Sequence, residues 1–261
     1  MATKDFDPAL ALEIFGDLLP KIGREVLEMR RKGQLDPINK KAQIKDLRTA
    51  ADIFAQGRIR LCVHEYWPEH GIRGEEDLEE RSDSGYDWLI DPIDATNRFT
   101  LGFDLFAIST GPILNGVPIF GVFYFPVEDI FVNAAKDKGT FINRERVVVS
   151  EGGGLKDEVF VGFALRTPEE GQKVRSFGCH IMEIHSFTGT TLLILQGKVG
   201  AYVHGGATPF DVGATALAAM EAGCVVSQLD GKPIDFSQKN IPVVIARNRK
   251  IWEGLLEICG S

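Results

Sequence analysis

Several absences narrow the class of this 261-residue chain before any motif is read. Its four cysteines, Cys62, Cys179, Cys224 and Cys259, form no Cys-x-x-Cys pair. A zinc ribbon or a thioredoxin-like redox motif is thereby excluded. Thiols so far apart are expected to be reduced and buried, in a cytoplasmic protein. No run of about 18 apolar residues occurs, so no membrane span is expected. The opening residues Met1 to Asp7 lack the basic-then-apolar order of a signal peptide. Repeats and low-complexity linkers are also missing. There is no excess of positive charge: 37 Asp and Glu against 29 Lys and Arg give a net charge of -8. That balance argues against a nucleic-acid polymer as partner, because such binding neutralises many phosphates with Lys and Arg. A small phosphorylated metabolite stays open, since bound cations reverse the local sign of a site. What remains is 44% hydrophobic residues, enough for a large core in one or two domains.

The pattern along the chain divides at Gly152-Gly153-Gly154. Before it, Leu10, Ile14, Leu18, Leu19, Ile22 and Val26 recur at helical spacing, which predicts a helix over Pro8 to Arg31. A polar, basic stretch from Arg30 to Lys45 reads as a loop, either solvated or a flap. A second helix is predicted over Ala51 to Glu65. Strand-like runs follow at Trp88 to Ile90, Leu105 to Leu114, Ile119 to Phe125 and Ile130 to Ala134, with Asn115-Gly116 as a hairpin signal. This reads as an α+β half, residues 1–151. After the glycines, strands at 159–164, 199–203, 224–228 and 243–246 alternate with helices at 189–195, 211–221 and 248–258. That is an α/β half, residues 152–261, with the two halves expected to form one compact unit. His64 and His70, around Pro68, fit no zinc spacing and read as surface loop histidines.

The sharpest feature is Trp88-Leu89-Ile90-Asp91-Pro92-Ile93-Asp94-Ala95-Thr96. Two aspartates stand at the end of an apolar strand, where a bare carboxylate is costly without a cation or another partner. Pro92 has a fixed φ and no N–H, and it keeps Asp91 out of the helical region. It stiffens a turn in which both carboxylates and the Ile93 carbonyl converge. Oxygen ligands of this kind suit Mg²⁺ or Mn²⁺. The plainer alternative is that Asp91 caps a turn and Asp94 caps a helix. Likewise Asp211 reads as an ordinary helix N-cap, and Glu75-Glu76 as the start of a solvated acidic run.

Read together, Thr49-Ala50-Ala51-Asp52, Gly74-Glu75-Glu76, Asp91-Pro92-Ile93-Asp94-Ala95-Thr96, and Pro209-Phe210-Asp211 with Glu221-Ala222-Gly223 resemble the inositol monophosphatase family of Mg-dependent, lithium-sensitive phosphatases. The resemblance runs from about Asp46 to Ile258. It implies a five-layer αβαβα sandwich of the sugar phosphatase type, a homodimer and a site for two or three Mg²⁺ ions. Glu75, Asp91 and the carbonyl of Ile93 would hold the first ion. Asp91, Asp94 and Asp211 would hold the second. Glu75 and Asp52 would hold a weaker third. Asp52, Thr96 and Glu75 are the implied catalytic residues, with Thr96 and Asp52 orienting a water and taking its proton. The N–H groups of Ala95 and Thr96 would bind phosphate at a helix start.

The implied reaction is hydrolysis of a small phosphate monoester, as in inositol-1-phosphate phosphatases. A haloacid-dehalogenase phosphatase would need D-x-D spacing, whereas the chain has D-x-x-D. A non-catalytic metal-binding relative has one support: Ala95 stands where the family usually has Gly, and a Cβ there hinders phosphate if φ is positive. Gly189-Thr190-Thr191 matches a substrate-facing element. His204, seven residues before Asp211, replaces the family's usual substrate-binding Glu. An imidazole cannot copy an acceptor carboxylate. Histidinol phosphate, fructose 1,6-bisphosphate and nucleotide 3′-phosphates therefore stand beside inositol 1-phosphate, with Arg166 or Arg175 available for a second phosphate.

Overall fold

The computed structural model describes residues 6–39, 47–76, 79–149, 152–157, 160–164 and 168–259. The first part runs α1 (Pro8–Arg31), β1 (Ile38–Asn39), β2 (Leu47–Arg48), α2 (Ala50–Tyr66), β3 (Gly71–Gly74), β4 (Tyr86–Asp94) and α3 (Thr96–Thr100). It continues through β5 (Ala107–Leu114), β6 (Val117–Pro118), β7 (Phe120–Phe125), β8 (Ile130–Ala135), β9 (Gly139–Ile142) and β10 (Glu145–Val147). The second part runs β11 (Phe160–Ala164), α4 (Pro168–Ser176), β12 (His180–Met182), α5 (Phe187–Leu195) and β13 (Ala201–Ala207). It closes with α6 (Pro209–Glu221), β14 (Val225–Gln228), β15 (Ile241–Ala246) and α7 (Arg249–Cys259).

The elements stack in the five expected layers. The large sheet has the order β10-β9-β8-β7-β5-β4-β3, with β6 also on β5. Its pairs are antiparallel except β3 with β4. The small sheet has the order β12-β11-β13-β15-β14. Helices α1 and α2 cover the outer face of the large sheet, α5 and α6 lie between the sheets, and α4 and α7 cover the outer face of the small one. Amphipathicity drives this. α1 starts at Asp7, whose carboxylate accepts from the Ala9 N–H at 2.9 Å, and buries Phe15, Leu19, Ile22 and Val26. Along β4, Trp88 and Ile90 face that outer core while Leu89 faces the central one with Val212 and Leu217. The central core draws on both sides of the glycine run, from Phe123 and Phe125 to Phe187 and Tyr202.

Several details depart from the sequence reading. β4 continues through both aspartates as a nine-residue strand instead of ending at Ile90. Asn115 and Gly116 both take positive φ, 49° and 79°, as a two-residue hairpin of type I′ requires, but the partner strand is the short β6. β9, β10 and α4 have too few apolar residues to announce themselves. Arg30 belongs to α1 and is tied to Phe103 O and Asp104, and part of the basic stretch pairs as β1 with β2. Lys40, Lys41, Lys45, Val159 and Arg166 lie outside the described residues.

His70 corrects the surface-loop reading. It is 8% exposed, stacks on Tyr86 at 4.2 Å and accepts the Trp88 indole N–H at Nδ1 at 3.0 Å. Burial pushes its pKa down to about 4. His64 is exposed, but it sits in the last turn of α2, with Nε2 2.7 Å from Glu80.

Candidate active site

Residues i and i+3 of a flat strand lie on opposite faces, so Asp91 and Asp94 should point apart. The structure avoids this with a bulge. Asp91 pairs with Ser109 and Asp94 with Ala107, so β4 spends three steps where β5 spends two. Pro92, which has no N–H to give the ladder, sits in the extra step. Both carboxylates therefore turn to the side of α6. One oxygen from each of Asp91, Asp94 and Asp211 lies within 4.8 Å of the others. Glu75 joins them from the end of β3, where its N–H donates to Ile90 O at 3.1 Å. Gln56 holds that corner. Its Oε1 accepts the Glu76 N–H at 3.0 Å, and its side chain fills the space that a Cβ on Gly74 would need.

Two helices deliver acids through the same local device. Thr49 is the N-cap of α2, and Asp52 at N3 accepts the Thr49 N–H at 2.7 Å. Thr208 is the N-cap of α6, and Asp211 at N3 accepts the Thr208 N–H at 2.7 Å. These are capping boxes. Asp211 is thus not the N-cap that the sequence suggested. Asp94 holds a third helix start. Its Oδ1 accepts the Phe187 N–H at 3.1 Å, and its Oδ2 accepts from Ser186 Oγ at 2.7 Å and from both donors of Thr188. It docks the N-terminus of α5 onto β4 instead of capping α3.

The electrostatics call for a cation. Asp52, Asp91 and Asp94 are 0%, 2% and 6% exposed. Burial, then Glu75, Asp94, Asp211 and Asp52, raises Asp91 well above the usual carboxylate range. Burial also pushes Asp211 up to about 7, against the opposing hydrogen bonds from Thr208. Asp91 Oδ1 is buried without any hydrogen-bond partner. An acid oxygen in that state is costly, and a hard divalent ion satisfies it. The donor set therefore fits Mg²⁺. Asp94 Oδ1, with one donor, keeps a lone pair for such an ion.

The inositol monophosphatase family matches residues 13–259. This chain belongs to that family. A fructose-1,6-bisphosphatase/inositol-1-monophosphatase of Thermotoga maritima is 31% identical, covering 85% of this chain and 86% of that protein. Human inositol monophosphatase 1 is 31% identical, covering 80% and 79%. The fold agrees with a solved Thermotoga maritima IMPase, with a TM-score of 0.83 at 27% identity over 97% and 96% of the two chains. A lithium-soaked staphylococcal inositol monophosphatase-1 superposes with a TM-score of 0.88 at 21% identity over 98% and 96%.

Ala95 stands where the resemblance implied glycine. It takes φ 69° and ψ 42°, the left-handed conformation that favours glycine, and lines the cavity beside Thr96. The condition under which its Cβ matters is thus met. α3 behind it is only five residues long, and its first N–H groups lack helical partners. Thr96 Oγ1 lies 3.1 Å from Asp52 Oδ1 and 2.9 Å from Ile93 O, linking the implied base to the implied carbonyl ligand.

The substrate side is less as foreseen. Thr190 and Thr191 are 0% exposed, Gly189 is buried, and none of the three lines the cavity. Thr190 hydrogen-bonds back to Ser186 O. His204 lies in a side cavity of about 200 Å³ with His185, Phe187 and Tyr202, beside Asp94 and Asp211. Its Nδ1 accepts the Gly206 N–H at 3.1 Å, and burial lowers its pKa, so it is a neutral ring whose Nε2 carries the proton. Arg175 is exposed on α4, across the small sheet from the carboxylates. Arg98 and His185, which do line the main cavity, had drawn no attention in the sequence because neither stands in a recognisable motif.

Proposed function

We propose that the protein hydrolyses a small phosphate monoester with Mg²⁺ held by its carboxylate wall. The observation that carries this is the convergence of Asp91, Asp94 and Asp211, with a buried oxygen of Asp91 lacking any partner. Glu75, Asp91 and Ile93 O would hold one ion, and Asp91, Asp94 and Asp211 a second. Glu75 and Asp52 would bind a weaker third, and Mn²⁺ is an alternative metal. Bound there, the metal supplies positive charge for the phosphoryl oxygens and acidifies water.

The chain's own groups do the rest. Thr96 has one hydroxyl hydrogen and two acceptors, Ile93 O and Asp52 Oδ1. It accepts a proton from an attacking water while passing its own to Asp52. Asp52 is suited to this, since burial raises its pKa. The N–H groups of Ala95 and Thr96 orient the phosphate. His204 presents a donor where the family's usual residue accepts, so inositol 1-phosphate is a substrate but not the best one. We further infer a cytoplasmic homodimer, on the family resemblance, the four free buried cysteines and the exposed Leu101 and Phe103 beside the cavity.

The test is phosphate release, with and without Mg²⁺, from inositol 1-phosphate, histidinol phosphate, fructose 1,6-bisphosphate and adenosine 3′,5′-bisphosphate. Mg²⁺-dependent release, inhibited by Li⁺ at limiting Mg²⁺, is expected. No release from any ester would overturn the reading.

A further inference from the structure

The main cavity, of about 510 Å³, is lined by groups of opposite chemistry. Among them are the carboxylates Glu75, Asp91, Asp94 and Asp211. Asn97, Arg98, Leu101 and His185 line the same cavity. Arg98 and His185 are the only basic side chains among the described lining residues. The carboxylates account for the metal and the scissile phosphate. They give no reason for a guanidinium in the same cavity.

Arg98 is positioned and underused. One N–H donates to Glu183 O at 3.3 Å, and the guanidinium lies 5.7 Å from the Phe103 ring centre. No described carboxylate forms an ion pair with it. Four of its five donors remain for a ligand. The Glu183 contact tethers the segment between β12 and α5, where His185 takes φ 50° and opens onto both cavities. His185 Nε2 lies 3.7 Å from Glu183 Oε2, whereas no described carboxylate pairs with Arg98. A planar fork of donors is the group that binds carboxylate and phosphate best.

Resting on the phosphatase reading above, we propose that Arg98, assisted by His185, selects substrates that carry a second anionic group opposite the scissile phosphate. These two residues thus set specificity for an anionic phosphate ester over a neutral one. The shared chemistry is a phosphate or a carboxylate at the far end.

Matched pairs test this. In fructose 1-phosphate against fructose 1,6-bisphosphate, the second group is phosphate. In glycerol 3-phosphate against 3-phosphoglycerate, it is carboxylate. The native enzyme with Mg²⁺ is expected to prefer the doubly anionic member of at least one pair in kcat/KM. The pair with the larger ratio identifies the second group. Arg98→Ala should shrink that ratio by roughly 10- to 100-fold, mainly through KM, as loss of a charge-assisted hydrogen bond implies. Arg98→Lys should retain part of it, and His185→Asn should lose less than Arg98→Ala. If the native enzyme shows no preference in either pair, the proposal fails. It also fails if Arg98→Ala slows both members equally, which is the result expected of a merely structural tether. Circular dichroism confirms the fold of each variant. Absence of Mg²⁺-dependent turnover with these four esters and with inositol 1-phosphate, histidinol phosphate and adenosine 3′,5′-bisphosphate would instead overturn the phosphatase reading, and this proposal with it.

Discussion

Helices α2 and α6 begin alike, yet their acids meet different surroundings. Each has a threonine N-cap and an aspartate at N3, joined in a capping box. Asp52 is 0% exposed, and its second oxygen is taken by Thr96. Asp211 lines the cavity among Asp91 and Asp94. One local motif fixes a carboxylate's direction at the start of a helix. On the proposed mechanism, what surrounds the carboxylate decides whether its main task is to take a proton or to bind a cation.

The largest test of this contrast is removal of charge from the open acid. Asp211→Asn, and equally Asp91→Asn, should lower kcat on the order of 10³-fold with the fold intact. Near-normal turnover of either folded variant at saturating Mg²⁺ would take these residues out of the metal site.

On the proposed mechanism the closed acid acts through Thr96. Thr96→Ala should lower kcat by about 10²-fold or more while KM changes little, because the loss is felt in the transition state. A change confined to KM would make Thr96 a phosphate-binding residue and break the comparison.

A third test uses pH. In the metal-free protein Asp211 is raised from 3.8 to about 7. The folded state therefore holds that proton more tightly than the unfolded state. Its contribution to stability is full below the unfolded pKa and is lost as pH rises through the folded one. Metal-free stability should fall between about pH 4 and 7. The Tm gained on adding Mg²⁺ should grow over the same window, since the ion replaces the proton. Differential scanning fluorimetry with EDTA or Mg²⁺ measures both, and a pH-independent Mg²⁺ gain would contradict this account.

His70 extends the comparison to a buried titratable group far from the cavity. It accepts the Trp88 N–H and is held down at about 4 against an ordinary 6.5. The unfolded chain takes up a proton below pH 6.5 that the folded chain refuses. Stability should therefore be lost as pH falls from about 6.5 to 4, by up to about 3 kcal/mol. Urea unfolding of the native protein and of His70→Phe over this range isolates the term. Parallel curves would show that His70 carries none of it.

The smallest effect is expected at Ala95. Left-handed backbone costs a residue with a Cβ about 1–2 kcal/mol, while glycine loses about 0.4–1 kcal/mol through its freer unfolded chain. Ala95→Gly should therefore raise stability by between about 0 and 1.6 kcal/mol and lower KM through easier phosphate approach. An unchanged Tm and KM would mean that the Cβ is already accommodated.

The sequence by itself determined the family and five of the acids. Helical periodicity placed α1 closely, because its buried stripe is long and regular, although Arg30 also read as the start of a loop. Asp91 and Asp94 were legible because two acids after an apolar strand break the pattern that burial imposes. Other features depend on contacts between distant segments, to which local pattern is blind. The bulge at Pro92 is defined by pairing with β5, eighteen residues on from Asp91 to Ser109. Asp94 is spoken for by α5, and Thr190 is turned into the core by the layer between the sheets. His70 is buried by an aromatic cluster assembled from Phe6, Trp67, Tyr86 and Trp88. Arg98 shares the cavity with His185 because α3 and the segment before α5 meet there. Residue type and spacing specify which chemistry the chain can perform. Packing of the five layers decides which side chains share the cavity, since burial and hydrogen bonding are settled by neighbours far apart in sequence.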